Sequence, residues 1–198
     1  MTAVKLDLVI EQGATFTKSL SWYGGGKVCK PISALVPGCP TQITATAHGI
    51  PSGAQLPVFV SHVKGATGAN TKPNSPVMAT YVDANSVFVD TDTVGETYTA
   101  NTGLLTYYAP TNLTGYTARM HIREDIADTV TILTLVSPTN ITLDTALGKV
   151  TVTISATATA GLNFEQAVYD IEVVDSAGTP VVTRLAEGNV TLSREVTR

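Results

Sequence analysis

The stretch "SLSWYGGGKVCKPISALVPGCPTQ", Ser19–Gln42, decides how the chain divides. Leading into it, "ATFTKSLSW" alternates. Phe16, Lys18, Leu20 and Trp22 oppose Thr15, Thr17, Ser19 and Ser21, the two-residue period of a half-buried strand. Three glycines, Gly24, Gly25 and Gly26, then end the run. A Gly-rich break after a strand is either an ordinary hairpin turn or the point where a second body has been inserted. The strands on either side of the break distinguish the two.

Upstream, "VKLDLVI" places Val4, Leu6, Leu8 and Ile10 on one side and Lys5, Asp7 and Val9 on the other. Far downstream the same style returns. "GYTARMHIR" sets Tyr116, Ala118, Met120 and Ile122 against Thr117, Arg119, His121 and Arg123. After the charged turn "EDIAD" come "VTILTL", "NITLD", "KVTVTIS", "VYDIEVVD", "PVVTRLAEG" and "NVTLSREVT". The connections "DTALGK" and "DSAGTP" are hairpin-like, with Gly where a positive φ is often needed. The one helix candidate, "SATATAGLNF", is short and rich in Ala and Thr. Short alternating strands at close spacing predict an all-β, antiparallel sandwich or barrel. Its inward faces are expected from Phe16, Leu20, Trp22, Tyr116, Met120, Ile122, Val150, Val152, Ile154, Tyr169, Ile171 and Val173.

Between about Cys29 and Pro110 the text is dense in Gly, Pro, Thr, Ala and Asn, yet holds six strand-like pieces. They are "TQITATA", "LPVFVSHV", "PVMATYVD", "NSVFVDTD", "ETYTA" and "GLLTYY". A structureless loop of that length is improbable in a compact domain. The sequence therefore predicts an outer sandwich from residues 1–28 plus 110–198, with a small barrel-like β-domain, residues 29–109, inserted into it.

Hydrophobic residues make up 43% of the 198 and charged residues 14%, against roughly 25% charged in ordinary soluble domains. The formal net charge is -4, and no clustered basic face is visible, which argues against a nucleic-acid binder. No apolar run is long enough to suggest a membrane helix. The opening "MTAVKLDLVIEQG" reads as a charged, alternating strand rather than a signal peptide, so a reducing compartment is expected. The two cysteines, Cys29 and Cys39, bracket "CKPISALVPGC". They are either a disulfide or two thiols sharing a loop, and the expected compartment favours the second. With His48 they do not complete a zinc site.

The chemistry-bearing residues are few. His121 lies on the polar face of a strand, His48 in the turn "TAHGIPSG", and His62 on a strand without evident metal partners. His48 is expected to bond a backbone group and hold its turn. No nucleophile elbow, P-loop or dinucleotide fingerprint occurs. Asp170 and Glu172 share a strand face, a spacing that could serve glycoside hydrolysis. Alternation instead makes this the solvent face opposite Tyr169, Ile171 and Val173. Tyr107 and Tyr108 fit either packing of the insert against the outer domain or anchoring of a partner. Arg123, Glu124 and Asp125 place charge at a strand end, as a solvated turn that discourages edge pairing or as a partner contact. The sequence predicts no catalytic residue, cofactor or metal.

With the middle removed, "LDLVIEQGATFTKSLSWYGGGK", "NLTGYTARMHIRE" and the segment ending "RLAEGNVTLSREVTR" resemble a small β-sandwich family common among tailed-phage virion proteins. The N-terminal Ig-like domain of phage upper baseplate proteins is similar. "LTGYTARMHIRE", Leu113–Glu124, and "EGNVTLSREVTR", Glu187–Arg198, carry the likeness most specifically. "TAHGIPSGAQLPVFVSHVKGATGAN", Thr46–Asn70, and "MATYVDANSVFV", Met78–Val89, resemble a β-barrel module of phage proteins. That module is similar to the FCCH domain of ubiquitin-activating enzymes. The acidic residue usual after "SG" is replaced here by Ala54 and Gln55.

The resemblance implies a non-enzymatic virion structural protein of the neck, collar, tail or baseplate. It would join rings or hold fibres through contacts with other phage virion proteins, as a homo-oligomer in a symmetric assembly formed in the host bacterial cytoplasm. A capsid decoration protein is the alternative, and a glycan-binding fibre module a further one.

Overall fold

The computed structural model describes residues 3–177 and 179–196. Gly178 of "DSAGTP" and the last two residues of "EGNVTLSREVTR" lie outside the described residues. In chain order the strands begin with β1 (Val4–Lys5), β2 (Leu8–Glu11), β3 (Phe16–Ser21), β4 (Lys27–Pro31) and β5 (Ala34–Val36). Next come β6 (Thr41–Thr44), β7 (Gln55–Ser61), β8 (Val77–Asp83), β9 (Ser86–Val89) and β10 (Leu104–Tyr108). The chain continues with β11 (Tyr116–Arg123), β12 (Leu133–Val136), β13 (Ile141–Asp144) and β14 (Lys149–Ile154). A five-residue helix, α1 (Ala156–Ala160), precedes β15 (Gln166–Asp175) and β16 (Val181–Ser193). The Ser155 side chain accepts the Ala158 N–H and so caps the helix, offsetting its weak Thr-rich composition. The protein is all-β.

The chain splits into two compact units. One holds the chain up to Trp22 and from Asn112 onward; the other runs Tyr23–Thr111. The second unit starts before residue 29 and ends after residue 109, because the flanking segments pair with each other. Gly25 and Ala109 are hydrogen-bonded, as are Ala109 and Gly26, and the Gly24 N–H donates to the Thr111 hydroxyl. A Cβ on Gly25 would sit 2.6 Å from the Ala109 carbonyl oxygen, so the middle glycine of the three serves the close approach of the two segments.

The first unit is a sandwich. Its larger sheet has the order β1-β16-β15-β11-β12, with β2 also on β16, and its smaller sheet the order β13-β14-β3. β1 and β2 run parallel to β16, while the remaining pairs are antiparallel. Between the sheets lie Met120, Ile122, Val150, Val152, Ile154, Ile171 and Val173, with Phe16, Leu20, Trp22 and Tyr116 packed at the margin. Trp22 meets Tyr116 edge-on, with ring centroids 6.2 Å apart.

Two expected strand boundaries change. "VKLDLVI" is broken at Leu6–Asp7, where the Asp7 carboxylate accepts the Asn189 backbone N–H at 2.9 Å. "PVVTRLAEG" and "NVTLS" form a single strand through Gly188. A Cβ there would lie 2.4 Å from the Leu6 carbonyl oxygen, so only glycine lets the N-terminal segment cross at this point.

The second unit is a closed barrel of antiparallel strands. Its sheet runs β4-β10-β7-β8-β9-β6-β5. The two ends of this path, β4 and β5, are successive halves of one bent strand. The Ile32 N–H donates to Gly103 and the Ser33 N–H to Thr44, so adjacent residues bond to opposite neighbours and the sheet closes on itself. Ile43, Leu56, Val58, Val60, Leu105 and Tyr107 fill the interior.

"ETYTA" was expected as a strand, but Glu96–Ala100 has no ladder partner and is loop. Its Tyr98 hydroxyl lies 3.0 Å from the Ile32 carbonyl and 2.7 Å from the Thr102 carbonyl, which share its one proton, bracing the bend instead. Lys27–Val36 supplies the missing barrel wall.

Candidate functional site

The outer face of the larger sheet is built from alternate residues of three central strands. Register places Arg119 beside Glu172 and His121 beside Asp170 on β11 and β15. On β16 the register slips: Ile171 opposes Ala186, but Glu172 opposes Arg184. Leu185 is therefore an extra, bulged residue. Both Leu185 and Ala186 are buried as a result. Residues three apart in a regular strand point to opposite faces, but the bulge brings Arg184 and Glu187 out on the same one.

A charge lattice follows from this geometry. The Arg184 guanidinium lies 2.8 Å from Glu187, 3.3 Å from Asp170 and 3.6 Å from Glu172. Arg119 Nε and Nη2 both donate to Glu172 Oε2, at 2.9 and 2.7 Å. Lys5 on β1 binds the other side of Glu187 at 2.5 Å. Hydrogen bonds from Lys5 and then Arg184 hold the Glu187 carboxyl below the usual carboxylate range. Arg184 is shifted upward, chiefly by its hydrogen bond to Glu187. Asp170 and Glu172 are thus engaged with arginines, not set out as a free carboxylate pair.

A recess of about 430 Å³ opens on this face. Lys5, Asp7, His121, Arg123, Asp170 and Arg184 line it, with the exposed Ile126 at its rim. Beneath it the Tyr169 hydroxyl donates to the Leu6 carbonyl at 2.5 Å. Burial, then the Asp7 carboxylate, push the Tyr169 pKa up to about 12.

Of the residues singled out from sequence, Arg123 lines the recess and donates to the Asp128 carbonyl. Glu124 and Asp125 lie exposed in the following loop. Asp125 shapes that loop: its N–H donates to Asp128 Oδ2, and its Oδ1 accepts the Ala127 N–H.

Tyr107 is corrected. It is 1% exposed inside the barrel, where its hydroxyl donates to the His48 carbonyl, so it cannot anchor a partner. Alternation along β10 leaves its neighbour Tyr108 half exposed on the outer wall. The disulfide alternative is corrected too. Cys29 and Cys39 are free and exposed. The segment between them is extended and paired to β10 and then to β6.

His48 holds its turn as expected. Nδ1 accepts the Ile50 N–H at 3.0 Å and Nε2 faces the Asp83 carbonyl at 2.8 Å, which assigns the proton to Nε2. His62 is exposed beside Ser61. No cluster of three metal-ligating side chains occurs among the described residues. None of their helices is long and apolar enough to cross a membrane.

Arg184, Lys5 and Glu187 were not singled out from sequence. The adjacent apolar pair in "TRLAEG", flanked by charges three apart, is the signal that could have revealed the bulge and with it the lattice. Neither a protein family nor a curated protein sequence matches the chain.

Proposed function

We propose that the chain is a structural component of a tailed-bacteriophage particle, in the neck, collar, tail or baseplate. It joins its neighbours through protein–protein contacts on the larger sandwich sheet. The supporting observation is the character of that sheet. Its central charges neutralise one another across β1, β11, β15 and β16, while the end formed by β12 and the residues just before it exposes Val130, Ile132 and Val136. Grouped exposed apolar side chains rimmed by polar residues are the usual mark of an interaction surface. The strands carrying the two phage-like motifs, β11 and β16, belong to this same sheet. In a symmetric assembly many modest contacts of this kind reinforce one another.

Immunogold microscopy of tailed particles that carry the chain tests the proposal. Label confined to the neck, tail or baseplate is expected. Label spread over the head would replace this reading with capsid decoration, and no label on intact or disrupted particles would overturn a virion role.

A further inference from the structure

We propose that β12 pairs antiparallel with β12 of a second copy of this chain, so that the larger sheet continues across a two-fold axis. The inference rests on the reading of the chain as a protein that works through protein contacts. It does not depend on a place in a phage particle.

Among the described residues β12 pairs only with β11, so the far side of its backbone has no ladder partner. Such an edge is a template for another strand, and proteins ordinarily blunt it with charge, proline, bulges or breaks. The other margins of the sandwich carry these devices. The opposite edge of the same sheet bears Lys5 and Asp7 and is interrupted between β1 and β2. In the smaller sheet, β3 carries Lys18 and β13 ends on Asp144. The β12 edge is short, four residues, but carries no charge, proline or bulge. From Thr129 to Leu143 the chain has no charged residue, and Pro138 falls only after the strand. Its solvent row, Ile132, Thr134 and Val136, is uncharged, beside the ion pairs at the centre of the sheet's outer face.

These features suit a second copy as the occupant. Pairing between two copies sets a strand against itself, which is repulsive wherever charges face their own kind. Here Ile, Thr and Val face one another. The flanking loop also selects the direction. Glu124, Asp125 and Asp128 lie before β12, while Ser137, Thr139 and Asn140 follow it. Parallel pairing would bring two acidic loops together. Antiparallel pairing places each acidic loop beside the neutral end of the other strand and gives a closed, isologous dimer.

Sedimentation velocity on the full chain tests this, with Thr134→Lys and Val136→Lys as edge variants. Both side chains are exposed, so the substitutions leave the core alone. Thr142→Lys, on the smaller sheet's edge, is the control. The expected result is a dimer for the wild type and the control and a monomer for both edge variants. The melting temperature should depend on concentration only where the dimer forms. A wild type that stays monomeric at its highest soluble concentration overturns the inference, as does a dimer that survives both edge variants. Neither result bears on particle labelling, so failure here and failure of the virion reading are distinguishable.

Discussion

Among the described residues, the two end strands of the barrel sheet, β4 and β5, are joined in one continuous segment, whereas the sandwich leaves β12, β13, β3 and the β1–β2 segment as separate open margins. The difference comes from one bent strand. Lys27–Val36 bonds to β10 along its first half and to β6 along its second, and this single segment joins the two ends of the barrel sheet. The sandwich has no such element. Its sheets are held by a shared core, and their margins must be blunted one by one or used. The barrel is therefore suited to be a self-contained body, and the sandwich to make contacts through strands.

The largest expected effects come from the two cores. Ile122→Ala should cost about 2–5 kcal/mol of sandwich stability. Trp22 is the sole tryptophan and packs at the sandwich core, so its fluorescence reports that loss. Leu105→Ala should cost the barrel a similar amount and leave the Trp22 transition in place. If the two variants shift one common transition, the cores are not independent and the comparison fails.

Next come two positions that hold backbone together. Gly188→Ala forces a Cβ against the Leu6 carbonyl and should cost the sandwich about 1–3 kcal/mol. His48→Ala strands the Ile50 N–H and the Asp83 carbonyl and should cost the barrel about 1–3 kcal/mol. Chemical denaturation followed by far-ultraviolet circular dichroism measures both.

Alkali should weaken both bodies through a buried tyrosine in each. Tyr169 has its pKa raised from 10.0 to about 12 in the fold. Above pH 10 the unfolded chain loses this proton while the folded chain keeps it, so the unfolded state binds fewer protons and stability falls as pH rises. The stabilising contribution is complete below pH 10.0 and is lost on approach to about pH 12. Tyr169→Phe should flatten this part of the sandwich's stability profile. Burial also raises Tyr107, so the barrel loses stability in the same direction.

The smallest effect belongs to the charge lattice. Arg184 is nearly half exposed, and Arg184→Ala should cost at most about 1 kcal/mol, less at high salt. Its clearer signature is a rise in the Glu187 pKa toward the ordinary carboxylate value, followed by NMR titration. An unchanged Glu187 would mean that Lys5 alone sets its pKa.

Much of the sandwich was legible because its strands alternate cleanly. Met120, Ile122, Ile171 and Val173 face inward as their spacing demands, and Ser155 starts the short helix. The barrel was harder to read. Lys30 and Pro31 interrupt the pattern of Lys27–Val36, so the strand that closes the sheet does not look like one. "ETYTA" has strand-like composition, but its tyrosine hydroxyl braces backbone from a loop. The candidate site was only partly visible. Arg119, Asp170 and Glu172 fall on the solvent face by alternation, but a bulge changes the phase, and Arg184 joins them only through register.

Excision of residues 23–111, with Trp22 joined to Asn112, tests the account most directly. The prediction is a shortened chain that unfolds cooperatively, retains the Trp22 signal and sediments as the dimer. A chain that fails to fold, or that folds but no longer self-associates, would contradict the division into a self-contained barrel and an edge-bearing sandwich.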